Sequence, residues 1–225
     1  MPHSSGEIVA RPAASRSQDA SSGLRRLDQR GDRSALLYVP ASYSPERPAP
    51  LVVMLHGAGG TAEHSVNLLR CHADEYGFVL LAPTSEAATW DVIAGRRYGP
   101  DVKAIDDALS QVFRRYAIDP HRIAVAGFSD GASYALSLGL MNGELFRHVL
   151  AFSPGFMAPL DERGRPRVFI SHGVWDAVLP IDPCSRRIAR DLRSAGYDLE
   201  YAEFPDKHSV PPAMIERALA RFLSG

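Results

Sequence analysis

The stretch Arg122-Ile123-Ala124-Val125-Ala126-Gly127-Phe128-Ser129-Asp130-Gly131 runs directly into Ala132-Ser133-Tyr134-Ala135-Leu136-Ser137-Leu138-Gly139-Leu140. An apolar run, a Gly-x-Ser-x-Gly turn and a second apolar run of helical length read as strand, sharp turn and helix, with Ser129 at the apex. A turn this tight lifts the serine hydroxyl above the strand ends. The glycines two residues to either side remove side chains that would collide there. Such a pentapeptide recurs by chance, so its meaning depends on what surrounds it.

Upstream and downstream, buried strands alternate with helices. Leu51–Leu55, Phe78–Ala82, His148–Phe152 and Val168–Ser171 are continuous apolar runs of the kind found in strands covered on both faces. Leu199–Phe204 reads as a further strand, and Leu24–Gln29 with Ser34–Val39 as an antiparallel pair turned through Arg30-Gly31-Asp32. Helices are predicted over 61–76, 101–118, 183–195 and 212–223. The second shows Val102, Ile105, Leu109, Val112, Phe113 and Tyr116 on one stripe. The expected fold is α/β: a mostly parallel central sheet, helices on both faces, antiparallel N-terminal strands and no separate lid domain. Residues 1–22 read as a disordered tail, 23–225 as one domain, and 83–100 as irregular.

Bulk properties narrow the function classes. The chain has 225 residues, 45% of them apolar, which is enough for a substantial core. With 25 basic against 26 acidic residues, it lacks the cationic excess that nucleic-acid binding exploits. Cys71 and Cys184 are far apart and form neither a disulfide framework nor a metal motif. Cys71 is expected to be buried on the first helix. No apolar run is long enough for a membrane span or signal peptide, so the default expectation is a cytoplasmic protein.

A serine at the apex calls for a base, a carboxylate and oxyanion donors. His208, in Pro205-Asp206-Lys207-His208 after the last strand, is the best-placed histidine; His56 and His172 read as props for turns. Asp176 is the leading carboxylate, with Asp182 second. Asp206 lies too close to His208 in sequence to orient it. Oxyanion donors are expected from the backbone N–H groups of Asp130 and, in the turn His56-Gly57-Ala58-Gly59-Gly60, of Ala58, with Gly59 second. The order Ser, Asp, His belongs to the α/β-hydrolase arrangement.

The segment Ile118–Gly131, the turn Leu55–Gly60 and the run His172-Gly173…Asp176…Pro180 together resemble the phospholipase/carboxylesterase branch of the α/β-hydrolases. That branch includes acyl-protein thioesterases and shades into feruloyl and polyhydroxybutyrate-oligomer esterases. The resemblance spans roughly Ser34 to Leu223. It implies Ser129 as nucleophile, Asp176 as acid, His208 as base, and Ala58 and Asp130 as oxyanion donors. Many relatives have Ser-Gln-Gly where this chain has Ser129-Asp130-Gly131, and Gly-His where it has Lys207-His208.

The expected activity is hydrolysis of an ester or thioester through an acyl-enzyme, without metal or cofactor, and the lack of a lid points to small, short-acyl substrates. Trp90, Trp175, Phe156 and Met157 are candidates to line the substrate pocket. The alternative readings are an acyl-protein thioesterase or lysophospholipase and a feruloyl-type esterase, with a peptidase and a non-catalytic binding module behind them. The natural ester and the oligomeric state are left open.

Overall fold

The computed structural model describes residues 2–12, 21–28 and 34–224. The predicted turn at Arg30–Asp32 lies outside the described residues. Eight strands form one sheet: β1 (Gly23–Asp28), β2 (Ser34–Val39), β3 (Ala49–Leu55), β4 (Val79–Ala82), β5 (Ile118–Phe128), β6 (His148–Phe152), β7 (Arg167–Gly173) and β8 (Leu199–Phe204). Their order across the sheet is β1-β2-β4-β3-β5-β6-β7-β8. β2 pairs antiparallel with β1 and β4, and every other pairing is parallel.

Six α-helices accompany the described strands: α1 (Ala62–Tyr76), α2 (Asp91–Ala94), α3 (Pro100–Arg115), α4 (Asp130–Met141), α5 (Arg187–Ser194) and α6 (Pro212–Leu223). Alternation along the strands explains their placement. Leu51, Val53 and Leu55 of β3 point into a core shared with α3, α4 and α5, whereas Val52 and Met54 face α1 and α6. Strand order reverses at β3, because the chain leaves it through α1 toward β4 and leaves β5 through α4 toward β6. A crevice therefore opens at the carboxyl ends of β3 and β5, the usual place for chemistry in such sheets.

Three expectations need correction. The N-terminal segment is not a free tail over residues 4–12. Ile8 is fully buried, its N–H donates to Asn142 Oδ1 at 2.8 Å, and Asp106 Oδ1 accepts the N–H groups of Val9 (3.0 Å) and Ala10 (2.7 Å). Cys71 is exposed, because the buried stripe of α1 runs through Ala62, Val66, Leu69 and Ala73 and position 71 faces away from it. The helix predicted over 101–118 stops at Arg115, since Ile118 already pairs with Ala49 as the start of β5.

Candidate active site

Ser129 follows β5 with φ 57° and ψ −120°, a strained left-handed conformation for a residue with a side chain. Two close backbone approaches fix the turn. A side-chain carbon on Gly127 would run into the carbonyl of Gly131, and one on Gly131 into the carbonyls of Leu55 and His56. Ser129 N–H donates to Phe152 O at 2.9 Å, tying the elbow to β6.

His208 Nε2 lies 2.9 Å from Ser129 Oγ, and its Nδ1 lies 2.5 Å from Asp176 Oδ2. Residues 129, 176 and 208, from three separate strand ends, thus form one hydrogen-bonded chain. Asp176 is buried at the turn after β7, with Oδ1 accepting the N–H groups of Val178 (2.9 Å) and Leu179 (2.8 Å). Burial alone would raise its pKa. The donors from Leu179, His208 and Val178 outweigh that and hold the carboxyl below its ordinary value. The His208 loop is pressed onto β7, where Gly173 leaves no room for a side chain beside the carbonyls of Asp206 and Lys207. Asp206 braces that loop by accepting from Lys207 N–H (2.7 Å) and Ser209 Oγ (2.8 Å).

The turn after β3 lies against the elbow, since a side-chain carbon on Gly57 would stand 3.3 Å from Ser129 Cβ. Gly59 N–H is committed to Ala88 O at 2.6 Å, whereas no bond among the described residues takes up the N–H of Ala58 or of Asp130. His56 holds this turn from beneath. Its Nδ1–H donates to Gly57 O (2.8 Å) and its Nε2 accepts from Ser85 N–H (3.1 Å). Burial lowers its pKa and keeps it neutral. The carboxylate of Asp130, the departure from Ser-Gln-Gly, accepts from Thr89 Oγ1 at 2.6 Å.

Of the four aromatic and sulfur-containing pocket candidates, Trp90 is overturned. It is fully buried, stacked on Tyr134 at 5.0 Å, and donates its indole N–H to His56 O at 2.9 Å. Trp175 is 63% exposed beside Asp176. Phe156 and Met157 are half-buried on the loop after β6, which is pinned by Ser133 Oγ accepting Gly155 N–H at 2.9 Å and by Ser137 Oγ accepting Ala158 N–H at 2.9 Å. Ser133 and Ser137 went unread in the sequence because they look like ordinary polar positions on α4.

Residues 83–100, expected to be irregular, are held by two carboxylates. Asp101 accepts from Glu86 N–H (2.8 Å) and Asp91 N–H (2.7 Å), and Asp91 accepts from Gly99 N–H (2.9 Å) and Tyr134 OH (3.0 Å). They frame a pocket of about 250 Å³ lined by Ala87, Thr89, Ala94, Arg97 and Pro100, which adjoins Asp130 through Thr89. Among the described residues, no three His, Cys, Asp or Glu side chains are grouped as metal ligands, and no helix is long and apolar enough to cross a membrane.

Sheet order, elbow and crevice define an α/β-hydrolase fold. Residues 33–157 match the family described as esterase PHB depolymerase, and the chain belongs to that family. It is 31% identical over 160 residues to "Probable feruloyl esterase C" of Aspergillus oryzae, covering 67% of this chain and 57% of that protein. The chain therefore spans little more than half the length of that relative. Among solved structures, esterase PE8 superposes with a TM-score of 0.68 at 20% identity, over 90% of this chain and 99% of that one. A phospholipase/carboxylesterase from Dyadobacter fermentans superposes at 0.61 and 23%, over 91% and 100%. At these identities the superpositions speak for the fold.

Proposed function

We propose that the chain is a serine hydrolase of carboxylic esters, acting through an acyl-enzyme. The reading is carried by one observation: Ser129 Oγ, His208 and Asp176 are linked at 2.9 and 2.5 Å on a strained elbow. His208 Nε2 accepts the Ser129 proton as Oγ attacks the ester carbonyl carbon, and Asp176 stabilises the imidazolium that results. The tetrahedral oxyanion is held by the N–H groups of Ala58 and Asp130, each worth about 3 kcal/mol. Collapse expels the alcohol, which takes its proton from His208. Water, deprotonated by the same imidazole, then releases the acid.

Small, short-acyl esters are the proposed substrates, with the pocket beside Thr89 and Asp130 as the candidate place for the leaving alcohol. A feruloyl-type aromatic acyl group is the second reading. It is favoured by the feruloyl esterase relative and by the exposed indole of Trp175 next to Asp176. Fluorophosphonate labelling of wild type and Ser129→Ala tests the mechanism. Labelling is expected to vanish in the variant, and labelling that persists refutes the nucleophile. A panel of p-nitrophenyl esters graded in acyl length, run beside feruloyl esters and thioesters, separates the substrate readings. An optimum at long chains would contradict both.

A further inference from the structure

His172 plays no part in the steps above, yet its fully buried ring reaches the same carboxylate oxygen of the acid as His208 does. Its Nε2 lies 3.1 Å from Asp176 Oδ2 and 2.8 Å from Leu179 O. A lone pair facing two oxygens would be repelled, so Nε2 carries the proton: it donates to Leu179 O and stands as a polarised N–H beside Asp176 Oδ2. Nδ1 then presents its lone pair to Ser185 Oγ, 2.5 Å away, whose hydroxyl donates to it. Burial lowers the pKa of His172, which keeps the ring neutral and this tautomer in place.

Counting donors on Asp176 shows what the contact achieves. Oδ1 accepts from Val178 and Leu179, Oδ2 accepts from His208 Nδ1, and His172 Nε2 faces Oδ2 at 3.1 Å. Rotating the carboxylate would break three hydrogen bonds at once and pull Oδ2 away from the positive end of the His172 N–H dipole. We infer that His172 is a positioning residue: its Nε2–H, fixed by Ser185, holds the Asp176 carboxylate ionised and turned toward His208. The inference rests on the proposed roles of Ser129, Asp176 and His208. A turn prop alone would need only the bond to Leu179 O.

The test is a variant series on the full chain, with Ser129→Ala as reference and folding checked by thermal melting. His172→Phe keeps the ring volume and removes the donor. It is expected to lower kcat about ten- to a hundredfold, the range for a hydrogen bond to a charged group, with KM changed less than about twofold. His172→Gln, which can place an amide N–H near the same point, is expected to recover most of that loss. Ser185→Ala leaves the ring in place but frees its tautomer, and should cost about three- to tenfold in kcat.

The decisive arm is an Asp176→Asn background, read by the rate of fluorophosphonate labelling. There His172→Phe should cost less than about threefold, because the group it acts through no longer carries charge. Equal losses in both backgrounds, or a folded His172→Phe with wild-type kcat, overturn the inference while Ser129 dependence stands. Turnover that survives Ser129→Ala would remove the triad reading and this inference with it.

Discussion

Gly173→Ala places a methyl group where β7 meets the loop carrying His208. The new carbon would stand 2.9 Å from the Asp206 carbonyl carbon and closer still to the carbonyl oxygens of Asp206 and Lys207. These are backbone atoms, so no side chain can swing aside. Restoring ordinary contact requires the loop and β7 to separate by about 1 Å. His208 lies one residue beyond Lys207, and its 2.9 Å bond to Ser129 Oγ would lengthen with that movement. A displacement of about 1 Å at reacting groups typically costs on the order of 10²-fold in rate. Overpacking of this kind costs about 1–3 kcal/mol of stability, small enough to leave the fold in place. The expected result is a kcat for p-nitrophenyl acetate reduced about a hundredfold, in a protein that still melts cooperatively. A variant within twofold of wild type would show that the His208 loop is not positioned by its contact with Gly173.

Two further predictions concern the scaffold. Ile8→Ala should destabilise the protein by about 2–5 kcal/mol in urea denaturation, as expected for a fully buried side chain; a change below about 0.5 kcal/mol would return residues 4–12 to the status of a loose tail. His148 is buried at the start of β6 with no partner for either ring nitrogen among the described residues, and its pKa falls from 6.5 to about 4 through burial and the nearby charges of Arg167 and Arg221. Its contribution is complete above pH 6.5, where the ring is neutral in both states, and is lost as pH falls from 6.5 toward 4, because only the unfolded chain takes up the proton there. The gap corresponds to about 3 kcal/mol. His148→Phe should flatten the stability profile between pH 7 and 4 by about that amount, and identical slopes for the two proteins would refute it.

The strands were legible wherever burial on both faces wrote a continuous apolar run, as in Leu51–Leu55 and His148–Phe152. Ser129 and Asp176 could be singled out because each follows such a strand, and His208 because it follows the last strand signal, Leu199–Phe204, although that strand is only partly covered. What escaped notice depended on partners distant in sequence. Ile8-Val9-Ala10 is too short an apolar run to announce an element, and its anchors Asn142 and Asp106 lie 134 and 96 residues from the atoms they hold. Trp90 looked available to substrate because its loop lies at the strand ends, but its indole N–H has an acceptor beneath the turn in His56 O. His172 was read as propping a turn. The bond to Leu179 O fits that, whereas the approach to Asp176 could not be seen without the fold. Residues 182–186 form a π-turn ahead of α5 where an unbroken helix was expected, with Pro183 inside it.

β8 is the last strand of the sheet, paired among the described residues with β7 alone and only partly covered, and the residue proposed as base lies in the loop that follows it. Ion pairs from Arg186 to Glu203 and from Arg217 to Glu200 lace its outer positions, but such solvated pairs contribute little against fraying. The proton-transfer machinery is therefore mounted beside one of the two border strands, away from the fully covered centre of the sheet. On warming, turnover should fail while most of the secondary structure survives, so the working temperature ceiling would be set by detachment of one border strand and not by collapse of the core.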